Sequence, residues 1–446
     1  MLNFILLICG VQGLFYPTQI HLSWTEKPGE MRVTWFSRFS TSGQVKYSPF
    51  LCHQDNAKSS KEEQNDKEGE KHSSHIKSKD STQRRIDFGL NYSRYGYMHT
   101  AVIDDLNPEC YYSYSVFNGF LESDTFMFKA KTHGQDIPAY SLVVYGDMGT
   151  YSIGQQTFDL IMSSLQTKET LAVVHLGDMG YDMSDHQGNI GDKFLNMIQP
   201  LAAYHPYMTV PGNHESEKNY SSYTNRFIMP YNSASRNSSL FYSLDIGPVH
   251  YVFLHTTILL KRKASEVREN MIEWLKDDLE KANKNRKNVP WITTFHHHPL
   301  YCSHQAGDKS IREDCEIQTK IIRHNLEDIF YENSVDLILA AHVHHYERQA
   351  PIYKNMTMPS EKNDTHFYLN PKAPIHIISG NAGNKLERND PQSDTPDDWS
   401  VFMSEDYGFG RLIVMNSSCL LWKQYSSESN KLIDWVYIMK TNNTYH

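Results

Sequence analysis

The chain lacks what would tie it to a bilayer or to a nucleic acid. Beyond residue 13 no segment approaches 18 consecutive apolar residues, so nothing in the mature chain reads as a membrane-spanning helix. Lys and Arg number 43 against 52 Asp and Glu, giving a net charge of −9 with no basic stripe, which argues against nucleic acid as a partner. Cysteine is scarce, six residues in all, and none stand at the close spacing of a cysteine zinc site. The rest is an ordinary globular composition, 39% hydrophobic and 21% charged, on a length that suits two or three domains.

Residues 1–15 read as a secretory signal: Leu2 to Cys9 is apolar and small residues follow at Val11 and Gly13, although no positive charge precedes them. Seven Asn-x-Ser/Thr sequons, at Asn91, Asn219, Asn237, Asn355, Asn363, Asn416 and Asn442, point the same way. The expected location is secreted or lysosomal. In an oxidising compartment Cys302 and Cys315, flanking a polar loop, form a natural pair. Cys52, Cys110 and Cys419 cannot all pair within the chain; one is free or bonds between chains.

Residues 16–133 carry short β-signals. Ile20–Trp24 and Met31–Phe36 alternate across the turn residues Lys27-Pro28-Gly29-Glu30, and Tyr97–Ile103, Tyr111–Val116 and Thr125–Lys131 continue the pattern of a small β-sandwich. Between them, residues 53–85 are Lys/Glu/Ser/Asn-rich and nearly devoid of apolar side chains, the composition of a disordered surface insertion.

From residue 137 to 440 strands alternate with helices. Strands are predicted at 141–145, 171–174, 206–210, 241–245, 249–254, 291–295, 335–340, 374–379 and 411–415, and helices at 154–165, 193–201, 266–284 and 319–332. The class is α/β, with sheets covered by helices on both sides.

Five strand ends carry polar groups able to bind metal: Asp147; Asp178 with Tyr181; Asn213 and His214; His296 to His298; His342 and His344. Each has a plainer reading alone, since Asp147 could cap a helix and Asn213 could serve a turn. Together on one sheet edge, where open α/β folds gather ligands, they predict a dinuclear metal site. Oxygen donors with imidazole suit iron, manganese or zinc. Asp178 can bridge two cations, and the Tyr181 phenolate is a hard ligand for a ferric ion.

Gly146-Asp147, Gly177-Asp178-Met179-Gly180-Tyr181, Gly212-Asn213-His214-Glu215, His297-His298-Pro299 and His342-Val343-His344-His345-Tyr346-Glu347-Arg348 resemble the five ordered motifs of the metallophosphoesterases. Tyr181 narrows the resemblance to the purple acid phosphatases, in the long, plant-like form that animals also carry. It implies a metallophosphoesterase fold, α/β or α+β with a β-sandwich core flanked by helices, behind a fibronectin-III-like all-β sandwich. It implies a ferric ion, Fe(3+), on Asp147, Tyr181 and His344, a divalent ion (Zn, Fe or Mn) on Asn213, His297 and His342, and Asp178 shared by both. In the run His296-His297-His298 the alignment on Pro299 selects His297.

The function implied is acid phosphatase hydrolysis of phosphate monoesters on small phosphorylated substrates, with a metal-bound hydroxide as nucleophile and ions ~3.5–4 Å apart. His214 is the implied catalytic residue, orienting phosphate or protonating the leaving alkoxide. Asn213, His214 and the loop residue His304 are the implied substrate contacts. Long-form relatives include dimers, so the unpaired cysteine suggests a disulfide-linked homodimer. Two rivals stand beside this reading: a Mn/Zn enzyme of the same fold acting on phosphodiesters or nucleotide pyrophosphates, and a non-catalytic secreted metal-binding protein acting through its β-sandwich.

Overall fold

Alternating apolar residues in short segments form two antiparallel sheets in the first part of the chain. The computed structural model describes residues 15–52, 76–87, 95–108, 110–131, 137–165, 170–232, 234–235, 238–261, 265–303, 314–384 and 397–441. Its contacts divide into two compact units, one of residues up to Thr132 together with Gln199–Pro206, the other holding the remainder. In the first unit one sheet runs Thr18–Trp24, Met31–Ser37, Tyr95–Ile103, Thr82–Asp87; the other centres on Gly43–Leu51 and Tyr111–Asn118. Trp24, Trp35, Tyr47 and Tyr114 fill the interior, and Trp35 Nε1 donates to Asn118 Oδ1 at 2.8 Å to join the two sheets.

Part of the predicted insertion is ordered. Residues 53–75 lie outside the described residues, but Lys77–Asp80 pairs with Gly43–Leu51 and Thr82–Asp87 pairs with Tyr95–Ile103. Both are edge strands with mostly exposed side chains, held by backbone ladders that composition does not register. Residues 1–14, the bulk of the predicted signal, also lie outside the described residues, as do Asn91, Asn237 and Asn442.

The second unit contains two eight-stranded sheets. One has the order Tyr207–Thr209, Thr170–His175, Tyr140–Tyr145, Gly408–Asn416, Cys419–Ser426, Lys431–Met439, Phe367–Leu369, Lys362–Asp364. The other has Tyr242–Ile246, Val249–Leu254, Trp291–His296, Leu337–Ala340, Ile375–Ser379, Tyr346–Tyr353, Met356–Thr357, with Ser400–Ser404 paired to Tyr346–Tyr353. The first three strands of the former are mutually parallel, as are Val249–Leu254 through Ile375–Ser379 in the latter. Their hydrophobic runs are buried throughout, as parallel strands require. Helices Glu266–Lys284 and Thr319–Glu332 cover the second sheet: Met271, Leu275, Leu279, Ile322, Leu326 and Phe330 share one core with Val252, Leu254 and Ile292.

The cysteines resolve into Cys302–Cys315, the expected pair, and Cys52–Cys110. Among the described residues Cys419 is the free one, and it is buried on a central strand. It offers no sulfur to a second chain, so the expected disulfide-linked dimer loses its basis.

Candidate metal centre

The donors converge from two sheets rather than along one edge. Asp147, Asp178 and Asn213 follow Tyr140–Tyr145, Thr170–His175 and Tyr207–Thr209 of one sheet; His297, His342 and His344 follow Trp291–His296 and Leu337–Ala340 of the other. All are carboxyl ends of parallel strands. Leaving the sheet at once forces sharp turns: Asp147, Asp178, Tyr181 and His342 have φ of 63°, 56°, 50° and 70°, a region L-residues occupy at a cost of about 1–3 kcal/mol each. Gly177 (φ 91°) and Gly212 let the two strand ends close on one another. A Cβ on Gly177 would lie 2.7 Å from both Gly212 N and His297 Nδ1, and one on Gly212 would lie 2.1 Å from Asp178 Oδ1.

Two donor clusters result. In one, the Tyr181 hydroxyl donates to Asp147 Oδ1 at 3.0 Å and stands 3.0 Å from His344 Nε2, which is 3.4 Å from the same carboxylate oxygen. In the other, His297 Nε2 lies 3.0 Å from Asn213 Oδ1, 3.2 Å from His342 Nδ1 and 3.3 Å from Asp178 Oδ2. Ligand atoms of Asp147, Asp178 and His297 lie within 4.8 Å of one another, so Asp178 links the clusters. His297 Nδ1 donates to the Leu176 carbonyl at 2.7 Å, which fixes the tautomer and leaves Nε2 to face the site.

Asp147 and Asp178 are fully buried, and among the described residues their ion-pair partners are histidines only. Burial raises Asp178, but neighbouring His297 outweighs it and holds the carboxyl well below its ordinary range. His297 answers in kind: burial pulls it down, Asp178 and Asp147 prevail, and it rises to about 9. Burial, then Asp147 and Asp178, hold the Tyr181 phenol far above its ordinary value, so ionising it there needs a strong cation. Two buried carboxylates, a phenol, an amide oxygen and three imidazoles fit a pair of metal ions.

Three residues gain roles that their motifs alone did not assign. Asp182 Oδ1 lies 2.9 Å from His214 Nδ1, aiming Nε2 inward to 3.8 Å from Asp178 Oδ2. Burial lowers His214, but Asp178 and Asp182 outweigh it and the imidazole is raised. Buried Glu215 accepts from the N–H groups of Asp178, Met179 and Gly212, each at 2.8 Å, so one carboxylate ties two ligand loops together. Asn384 places its amide nitrogen 3.3 Å from His344 Nε2. His296, by contrast, turns away, with Nδ1 donating to the His298 carbonyl and its ring stacked on Phe330. His304 lies outside the described residues.

Three family models match in chain order: "Purple acid Phosphatase, N-terminal domain" over 17–130, "Calcineurin-like phosphoesterase" over 140–346, and "Iron/zinc purple acid phosphatase-like protein C" over 373–435. The chain is 34% identical to acid phosphatase type 7 of Danio rerio over 95% of this chain and 91% of that one. It belongs to the purple acid phosphatases. The Homo sapiens acid phosphatase type 7 is 32% identical over 97% of this chain and 94% of its own. Among solved structures, a purple acid phosphatase from yellow lupin (Lupinus luteus) seeds superposes with a TM-score of 0.77 at 23% identity, over 96% of this chain and 75% of that one, a likeness of fold. This purple acid phosphatase is therefore a hydrolase of the acid phosphatase type, in a family that implies a dinuclear, iron-containing centre and small phosphorylated substrates. None of its described helices is long and apolar enough to cross a membrane.

Proposed function

We propose that Asp147, Tyr181 and His344 hold a ferric ion, that Asn213, His297 and His342 hold a divalent ion, and that Asp178 is shared by both, for hydrolysis of phosphate monoesters at acidic pH. The observation that carries this reading is the division of donors: a carboxylate, a phenol and an imidazole on one side, an amide and two imidazoles on the other, with Asp178 between. When bound, the ion pair supplies Lewis acidity to the phosphate oxygens and an activated water for in-line attack.

The chain's own residues do the rest. Asp182 anchors His214 Nδ1, leaving Nε2 for the substrate, and the raised pKa keeps the ring protonated in weak acid. His214 then donates its proton to the departing alkoxide, a step worth about 10²–10⁴-fold. Asn213, a neutral amide, adds no negative charge where the phosphate must settle. The two disulfides and the exposed sequons at Asn219, Asn355 and Asn416 support passage through an oxidising compartment to a secreted or lysosomal location.

The test is a visible absorption spectrum of the purified protein with its metal content. A broad charge-transfer band that vanishes in Tyr181→Phe is expected. A colourless protein with manganese or zinc at both positions would overturn the ferric assignment in favour of phosphodiester or nucleotide pyrophosphate substrates.

A further inference from the structure

Of the three consecutive histidines, two face the site. His298 is buried beside His297, and its ring centroid stands 4.2 Å from that of His342 and 4.8 Å from that of His297, perpendicular to the latter. One ring nitrogen from each of His297, His298 and His342 lies within 4.8 Å of the others.

His298 is also oriented as a ligand would be. The hydroxyl of buried Thr256 accepts from its backbone N–H at 3.0 Å and lies 3.2 Å from its Nδ1. A single oxygen thus pins both backbone and ring, the arrangement by which outer partners set the tautomer of a metal-binding imidazole. Nδ1 is engaged there, and Nε2 is the nitrogen left for coordination. Thr256 stands just past the end of Val249–Leu254, the strand beside that of the histidines, so the hydroxyl sits on a rigid element.

We infer that His298 is a third imidazole ligand of the divalent position, which biases that position towards zinc over manganese. The inference rests on the assignment of His297 and His342 to the divalent ion. Carboxylate and amide oxygens suit manganese; a third imidazole beside the Asn213 and Asp178 oxygens makes the donor set richer in nitrogen, which suits zinc.

The experiment is competitive loading of the full-length iron-containing protein with equal zinc and manganese, read by elemental analysis after dialysis. The wild type, His298→Ser and His297→Ala are compared. His298→Ser is expected to lower the bound zinc-to-manganese ratio about 10-fold or more while iron stays constant, and His297→Ala to lose divalent metal altogether. An unchanged ratio in a folded His298→Ser protein would overturn the inference and leave His298 as packing for His342. Unchanged divalent metal in His297→Ala would overturn the underlying assignment and the inference with it. If His298→Ser does not fold, His298→Gln, which keeps the bulk and a polar end for Thr256, carries the same comparison. Cobalt(II) substitution gives a second readout, because loss of one imidazole alters the visible ligand-field bands.

Discussion

Asp182 is no donor to a metal, yet it governs when His214 is charged. Burial works against protonation, while Asp178 and then Asp182 work for it, and the imidazole is raised. If protonated His214 assists the leaving group, the alkaline limb of kcat/KM falls as this proton is lost. Removing the Asp182 charge lowers the His214 pKa, so Asp182→Asn is expected to move that limb to lower pH and leave the acid limb in place, as checked by pH–rate profiles on an aryl phosphate. The polar residues that converge and their order were legible in the sequence because each follows an apolar run. The left-handed backbone at Asp147, Asp178, Tyr181 and His342 was not, since φ follows from how loops close on one another and only the neighbouring glycines hint at it. Nor could the run His296 to His298 show by itself which rings turn inward. That depended on Phe330 taking one and Thr256 holding another.

At the scale of elements, buried polar groups fasten helices and sheets. His250 lies between Asp245 at 2.7 Å and Asp278 at 3.0 Å, joining the hairpin Tyr242–Leu254 to helix Glu266–Lys284. Burial lowers its pKa, but the two carboxylates prevail and push it up to about 9. A folded pKa above the unfolded value gives stability that is fully present below about 6.5 and lost as pH rises through about 9, on the order of 1–3 kcal/mol. His250→Gln should therefore be destabilised most at pH 6, with the gap to wild type closing by pH 9.5 in urea unfolding.

A second fastening joins the two sheets of the larger unit. Arg348 donates to both oxygens of Asp434, at 2.6 and 2.9 Å, and the Tyr346 hydroxyl donates to the same carboxylate at 2.6 Å, all fully buried. The motif Tyr346-Glu347-Arg348 was visible in the sequence, but its partner Asp434, 86 residues downstream on Lys431–Met439, was not. Glu347 accepts from Ser303 N instead. Asp434→Ala leaves a buried guanidinium unpaired and is expected to cost about 3–5 kcal/mol in thermal unfolding, because a broken buried pair is worse than none. Helices 266–284 and 319–332, by contrast, have the bounds their periodicity predicts; the first is capped by Ser265 accepting from Arg268 N and has Glu266 and Lys284 at the ends the dipole favours.

For the whole molecule, the α/β class and the leading all-β unit were legible because hydrophobic period changes near residue 137. The number of sheets in the larger unit was not: the strands that complete them, Tyr346–Tyr353, Ser400–Ser404, Cys419–Ser426 and Lys431–Met439, are mixed in pattern and recruited by long-range pairing. With Cys419 buried and the other described cysteines bonded, the purified protein should run at the same mass in denaturing gels with and without reductant.

The Arg348–Asp434 clamp is also completed late in the order of synthesis. Chains emerge from the ribosome N-terminus first, and every residue assigned to the metals precedes His345, whereas Asp434 lies in the last strand. Buried contacts such as Tyr140–Tyr251 and Tyr242–Thr209 join the two sheets through residues made earlier, and the clamp is added to them only when nearly the whole polypeptide has been made. A chain cut short before its final strand would carry every proposed metal donor and leave the Arg348 guanidinium buried without its carboxylate, so it is expected to be markedly less stable than the full chain.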